Sequence, residues 1–316
     1  MSLNTDSFYE LQPETILKAA DSFGKRSTGR LIQLNSYENR VYQVDFEDDK
    51  PLIAKFYRPG RWTKAQIQEE HDFLRDLQLE GVPVVSPIEI ETNQTIGVWG
   101  NLFFSFFPKQ YGRMPQELLE KDFESVGKTL AHLHNVAGRS EFKYRQHLDG
   151  QDHGWDDLEV LGDFVDPSLW LRYEDAAVTI INSYIDKVEA FGFQRIHGDC
   201  HRGNLLNNEN DYFMVDFDDA VMGPVAQDFW MLCAGPADEQ KQQLEFLLKG
   251  YEKLRTFDSS QLELFEPLRG IRIIHYAAWI GKRWSDPSFP RLFPNYMDYS
   301  YWAEEVEALE KISWSL

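Results

Sequence analysis

Short apolar runs separated by polar turns fill the first third of the chain. Residues 13–22, led by Pro13, read as a short helix. Arg30-Leu-Ile-Gln-Leu34, Val41-Tyr-Gln-Val-Asp-Phe46 and Pro51-Leu-Ile-Ala-Lys-Phe-Tyr57 read as strands, and Glu47-Asp-Asp-Lys50 is a polar turn between the last two. Three strands with short links predict an antiparallel meander. Thr63-Lys-Ala-Gln66 is a capping box that starts a helix. Ile67, Leu74 and Leu77 mark its apolar stripe; Glu70 falls on that stripe and Glu69 falls off it, so Glu69→Gln is expected to change turnover little. Gly81 to Pro87 ends the helix and leads to a fourth strand near Ile88-Glu-Ile90. Asn101-Leu-Phe-Phe-Ser-Phe-Phe-Pro108 is a continuous apolar run stopped by proline, a buried strand that leads into a hinge.

Beyond 108 the period changes. Leu119, Phe123, Val126, Leu130 and Leu133 recur at alternating spacings of four and three, which predicts a helix over 116–135. A second helix is expected over 169–191, and 237–316 is helical in pattern. Residues 149–166 form an irregular acidic segment between them. No repeat or low-complexity linker interrupts the chain. The expected class is α+β and bilobal, with a small antiparallel-sheet lobe at 1–107 and a large helical lobe at 108–316.

Composition adds bounds. Hydrophobic residues are 42% of the 316, ample for a packed core. No apolar run reaches the length of a membrane span. Met1-Ser-Leu-Asn-Thr-Asp6 lacks the basic and apolar regions of a signal peptide. Cys200 and Cys233 are the two cysteines, so no disulfide framework is implied and a reducing cytoplasm is the expected compartment. The net charge of −20 argues against nucleic acid as a partner. It favours a basic substrate, or serves solubility alone.

The chemistry concentrates in His197-Gly-Asp-Cys-His-Arg-Gly-Asn204 and Tyr212-Phe-Met-Val-Asp-Phe-Asp218. A carboxylate and a carboxamide share one tight loop, and Asp216 ends a short apolar strand. Phosphoryl transfer needs that set: Asp199 to orient a hydroxyl and accept its proton, Asn204 and Asp216 to hold Mg2+ against the phosphates of ATP. A polar turn between two strands would also use Asp and Asn. His197, Asp199, Cys200 and His201 are ligand types that suit zinc, but no second ligand pair follows them.

Asn35-Ser-Tyr-Glu-Asn-Arg40 lies where a glycine-rich loop would cover the nucleotide, yet holds no glycine. Ser36 and Asn39 are the polar donors there, although the loop alone reads as a hairpin turn. Lys55 is either a snorkelling edge residue or the lysine that pairs the phosphates. Glu70, on a buried face, needs a cation, and Lys55 is the natural partner. Adenine is expected near Ser105 to Phe107, where core packing would explain the phenylalanines as well. His132 and His134 read as structural, and Asp228 as a brace for the catalytic loop. Trp279, Trp284, Trp302 and Trp314 read as core, with a cage for a quaternary ammonium as the alternative. Asp149, Asp152, Asp156 and Asp157 would line a groove for a basic chain, unless the segment is only a solvated loop.

These segments together resemble the bacterial stress response kinase A family, Ser/Thr protein kinases with the aminoglycoside phosphotransferase and choline kinase fold. The general motifs are His197-Gly-Asp with Asn204, and the strand ending in Asp216. The specific ones are Leu34 to Tyr42, Lys55 to Pro59 with Arg61-Trp-Thr63, His197 to His201, and Gly223-Pro with Gln227-Asp. The resemblance implies a protein-kinase-like fold, ATP, Mg2+, autophosphorylation and a cytoplasmic role in surviving stress. It makes Asp199 the proton acceptor, Asn204 and Asp216 the metal ligands, Ser36 a nucleotide contact and Lys55 with Glu70 the phosphate-positioning pair. The chain departs from ordinary protein kinases in its glycine-free loop, in Asp218 where Asp-Phe-Gly has glycine, and in lacking Ala-Pro-Glu. A small-molecule kinase acting on an aminoglycoside, an amino alcohol or a sugar would use the same residues. A catalytically dead nucleotide binder would need one of them missing. A monomer that docks neither nucleic acid nor membrane is expected.

Overall fold

A computed structural model describes residue 8 and residues 11–22, 24–208 and 211–316. The N-terminal residues read above for a signal peptide lie outside this set. Strands β1 (Ser27–Leu34), β2 (Arg40–Phe46), β3 (Leu52–Phe56), β4 (Gly97–Trp99) and β5 (Leu102–Pro108) form one antiparallel sheet in the order β1-β2-β3-β5-β4. The meander is as expected. The fourth strand is not. Ile88 and Ile90 instead run beside the sheet and pack on its core, with Ile88 N–H donating to Phe106 O at 2.8 Å. The edge strand is Gly97-Val-Trp99, where Gly97 faces Phe104 and a Cβ would lie 2.3 Å from its ring. So short a strand, opened by a glycine, carries almost no periodic signal.

Side-chain alternation gives the sheet two uses. Val44, Phe46, Ala54, Phe56, Phe104 and Phe106 point to a core closed by helix α1 (Pro13–Asp21). Val41, Ile53, Lys55 and Phe107 point the other way, into a cleft. Helix α2 (Lys64–Leu79) opens with the expected box: Thr63 Oγ1 accepts from Gln66 N–H, and Gln66 Oε1 accepts from Thr63 N–H. Its Leu74 and Leu77 join the core of the helical part.

That part holds α3 (Glu120–Ala137), α4 (Asp156–Leu161), α5 (Trp170–Val188), α6 (Gln227–Trp230), α7 (Ala237–Tyr251), α8 (Phe265–Gly281), α9 (Phe289–Leu292) and α10 (Tyr299–Ser313). Small strands β6 (Gln194–Ile196), β7 (Leu205–Asn207), β8 (Tyr212–Met214) and β9 (Val221–Gly223) frame the loop over 197–204 in two antiparallel pairs, β6 with β9 and β7 with β8. Helix α3 starts later than its stripe suggests, because the Asp122 carboxylate accepts from Leu119 N–H at 2.9 Å and caps it there. Leu119 is therefore exposed. Glycines let α3 and α7 touch: a Cβ on Gly250 would lie 1.9 Å from Glu124 O. The segment over 149–166 is partly ordered, by a π-helical turn at Gln151–Trp155 followed by α4. Trp302 sits in the core with Trp279 and Trp284 packed against it, and Trp314 is exposed, so the four do not enclose a cage. No helix among the described residues is long and apolar enough to cross a membrane.

Glu69, off the apolar stripe of α2, ties that helix to the helical part, a structural role that its helical phase does not announce. Its carboxylate accepts from three successive backbone N–H groups, of Lys143, Tyr144 and Arg145, at 2.5, 3.0 and 2.9 Å. Arg145, buried, then donates to the carbonyls of Phe217, Asp218 and Ala220. Glu69→Gln keeps one oxygen and loses the charge that gathers these amides. It is expected to lower stability by about 1–3 kcal/mol, read as a fall in Tm.

Candidate active site

The loop between β6 and β7 is built around a buried carboxylate. Asp228 accepts from His197 N–H at 2.8 Å, Gly198 N–H at 2.9 Å and His134 Nε2 at 3.1 Å. His134 in turn meets the Tyr251 hydroxyl through Nδ1 at 3.0 Å. Burial depresses its pKa despite Asp228, which keeps the ring neutral. His134 and Asp228 thus hold the loop, as the sequence suggests. His197 is buried as well, with Nε2 donating to Val215 O and its ring against Phe217. Gly198 has φ +81°, and a Cβ there would lie 2.2 Å from Asp219 O, so no other residue fits between His197 and Asp199.

Asp199 is held at both oxygens. Arg272 Nη2, from α8, donates to Oδ1 at 2.8 Å; Asn204 Nδ2 donates to Oδ2 at 3.2 Å; His201 Nε2 lies 3.4 Å away. Burial opposes ionisation, but His201 and Arg272 outweigh it and hold this carboxyl well below the usual range. Asn204 also donates to the Asp199 carbonyl at 2.9 Å, which commits its NH2 and leaves Oδ1 as an acceptor. Asp216 has φ 64° and ψ 67°, a left-handed conformation that a non-glycine residue adopts at a cost of about 1–3 kcal/mol. Its side chain faces the cleft.

That cleft has a volume of about 470 Å3. Val41, Ile53, Phe107, Leu206 and Val215 give it apolar walls, and Ser36, Lys55, Glu70 and Asp216 line its polar part. Ser36 Oγ accepts from Asn39 N–H at 3.3 Å, which closes the glycine-free loop on itself. Ser105 is fully buried opposite Lys55, so of the expected adenine contacts Phe107 is the one that reaches the cleft.

Lys55 does meet Glu70, at 3.4 Å, but its nearest partner is Asp218 at 2.7 Å; Asp216 is 3.9 Å away. Burial pushes the Lys55 pKa down, and Asp218 and Glu70 more than reverse this, so the ammonium stays charged. Asp218 further accepts from Asn39 Nδ2 at 3.2 Å and pairs with Arg61 at 3.3 Å. Sequence reasoning missed this residue, reading it as a lost glycine. The signal was a second carboxylate two places after Asp216, in the turn that follows the apolar strand β8.

The acidic run offers fewer free carboxylates than expected. Asp157 is buried and accepts from His275 Nδ1 and Lys282 Nζ, both at 2.7 Å, which leaves Asp149, Asp152 and Asp156. A zinc site is not assembled either. Cys200 is buried with its thiol pushed well above the ordinary value, His197 is turned to Val215, and no metal-binding group of three His, Cys, Asp or Glu occurs among the described residues. The free Asn204 oxygen and the Asp216 carboxylate are instead hard donors. They fit a small divalent cation that takes its remaining oxygens from phosphates and water.

Comparison with known proteins agrees with this geometry. Residues 30–265 match the phosphotransferase enzyme family (APH). Stress response kinase A of Salmonella choleraesuis (strain SC-B67) is 36% identical over 309 residues, 97% of this chain and 94% of that protein. The protein named serine/threonine protein kinase RdoA of Salmonella typhimurium (strain LT2) is likewise 36% identical over 309 residues, with the same shares of each chain. The solved structure of amicoumacin kinase hAmiN, in complex with AMP-PNP, Ca2+ and Ami, has a TM-score of 0.81 at 17% identity, covering 100% of this chain and 96% of that one. The fold is therefore the bilobal α+β fold of that family. The chain belongs to the phosphotransferase enzyme family and, within it, to the stress response kinase A group, and it is an ATP-dependent phosphotransferase.

Proposed function

We propose that this phosphotransferase is a Mg2+-dependent Ser/Thr protein kinase that also phosphorylates itself and acts in the cytoplasmic response to stress. The 36% identity over 97% of the chain to stress response kinase A carries this reading. Residues 1–107 would serve as the lobe that covers the nucleotide, and 108–316 as the lobe that carries the catalytic loop. Adenine enters between the apolar walls near Val41 and Val215. Ser36 meets the phosphates, and Lys55, held by Asp218 and Glu70, positions them. Asn204 Oδ1 and Asp216 would hold Mg2+, which would supply positive charge against the phosphates. Asp199 orients the acceptor hydroxyl and takes its proton.

The acceptor is proposed to be a Ser or Thr in a basic chain. The Asp152 carboxyl is raised, by burial and then by Asp149 and Asp156 beside it, and a cationic chain would relieve that repulsion. The working unit is proposed to be a monomer, with neither nucleic acid nor membrane as a partner.

Incubation with radiolabelled ATP and Mg2+, alone, with a basic test protein and with a pool of metabolites, tests the reading. Label on Ser or Thr of the protein itself and of the basic substrate is expected, fading as salt screens the groove. No protein label, but rapid ATP consumption on adding an amino alcohol, a sugar or an aminoglycoside, would assign a small-molecule acceptor. Asp199→Asn is expected to retain ATP binding and lose roughly 10^2–10^4-fold in turnover, including autophosphorylation. Asp216→Ala is expected to abolish the Mg2+ dependence of nucleotide affinity, and Asn204→Ala to weaken it less, in calorimetric titrations with and without the metal. Because Lys55 lies closer to Asp218 than to Glu70, Asp218→Asn is expected to reduce kcat/KM for ATP more than Glu70→Gln does.

A further inference from the structure

The loop over the cleft has no glycine, yet it is fixed from outside by a group of charges that sequence does not reveal. Glu38, at its centre, is nearly buried. Its carboxylate lies 2.9 Å from Arg58 Nε, 2.5 Å from Arg61 Nη1 and 2.8 Å from Arg283 Nη2, and accepts from Trp279 Nε1 at 2.8 Å. Burial opposes its ionisation, but Arg61, Arg283 and Arg58 outweigh burial and hold the carboxyl below the usual range. Arg58 also donates to the carbonyls of Tyr37 and Glu38 and pairs with Asp286 at 2.9 Å. Arg61 continues to Asp218 and Asp219. Tyr37 lies against Phe293, with ring centroids 6.2 Å apart. The loop is thus tied to residues 279–293, about 240 positions later in the chain.

Helix α8 reaches both ends of the reaction path. Trp279 holds Glu38, and Arg272, two turns earlier on the same face, holds Asp199. The loop above the phosphates and the carboxylate below the acceptor are therefore registered to one rigid element.

We propose that Glu38 is the positioning residue of the phosphate loop, and that α8 is the strut that aligns this loop with Asp199 through Trp279 and Arg272. The proposal rests on the reading that the nucleotide occupies the cleft beside Ser36 and Lys55. A flexible glycine loop must be ordered by each nucleotide that enters. Here the ordering is already done by buried ion pairs, and their loss appears as a penalty on nucleotide binding.

Steady-state kinetics and ATP titration of the full chain, with Tm recorded for each variant, test it. Glu38→Gln is expected to raise KM and Kd for ATP by roughly ten-fold, since it removes the negative charge that pairs with three arginines. Trp279→Phe keeps the ring and removes one N–H, and is expected to raise both by about three-fold with little change in Tm. Arg272→Lys cannot reproduce the planar donor at Asp199, and is expected to lower kcat with KM for ATP unchanged. Arg172→Ala, which breaks an exposed pair with Glu310, is the control and should leave all parameters as they are. If Glu38→Gln does not fold, Trp279→Phe decides. Parent-like KM and Kd in Trp279→Phe, or in a folded Glu38→Gln, would overturn the role of Glu38. Unchanged kcat in Arg272→Lys would overturn the strut. A parent chain that binds no ATP would overturn the nucleotide reading and this one together, which separates the two kinds of failure.

Discussion

The ion pair between Lys55 and Asp218 is the constraint on which the rest of the site depends. Both groups are buried, and a buried charge without a partner costs several kcal/mol. Each must therefore be met, and each partner brings its own element with it. Lys55 comes from β3, Glu70 from α2, Asp218 from the turn after β8, Arg61 from the segment before α2, and Arg145 from the loop that Glu69 gathers. Satisfying one cation thus fixes the sheet, the helix and the turn that carries Asp216 and Asp218 relative to one another. Around the cleft the two parts are joined by these charges, while Phe73, Leu74 and Leu77 of α2 join them through the apolar core.

The catalytic loop follows the same logic with a neutral partner. Asp228 collects two backbone amides and the uncharged His134, so the turn holding Asp199 is fixed from below by a carboxylate that takes no part in proton transfer. Gly198 permits the turn, and Asp199 is then free to be governed by groups on its outer side. Arg272 and His201 are those groups.

Much of this was legible in the chain. The spacing of Asp199, Asn204 and Asp216 is local, and a motif within twenty residues survives any uncertainty about tertiary structure. Periodicity placed Glu70 on the inner face of α2, because helical phase is set by neighbours three and four positions away. What stayed hidden depends on distant partners. Glu69 lies off the apolar stripe, and only the arrival of residues 143–145 makes it structural. Asp157 reads as one of a solvated acidic run until His275 and Lys282, more than a hundred positions later, are folded against it. Asp218 was judged against a glycine that other kinases need, when its meaning lay in Lys55. The strand at 97–99 failed for a different reason: a three-residue edge that contains glycine has no alternation to detect.

The left-handed backbone at Asp216 sets two demands against each other at one position. Glycine would relax that conformation, so an aspartate kept there for the metal, as proposed above, carries a cost of about 1–3 kcal/mol in the folded chain. The position trades backbone ease for a carboxylate aimed into the cleft, and a chain that needed only to fold would have no use for that trade.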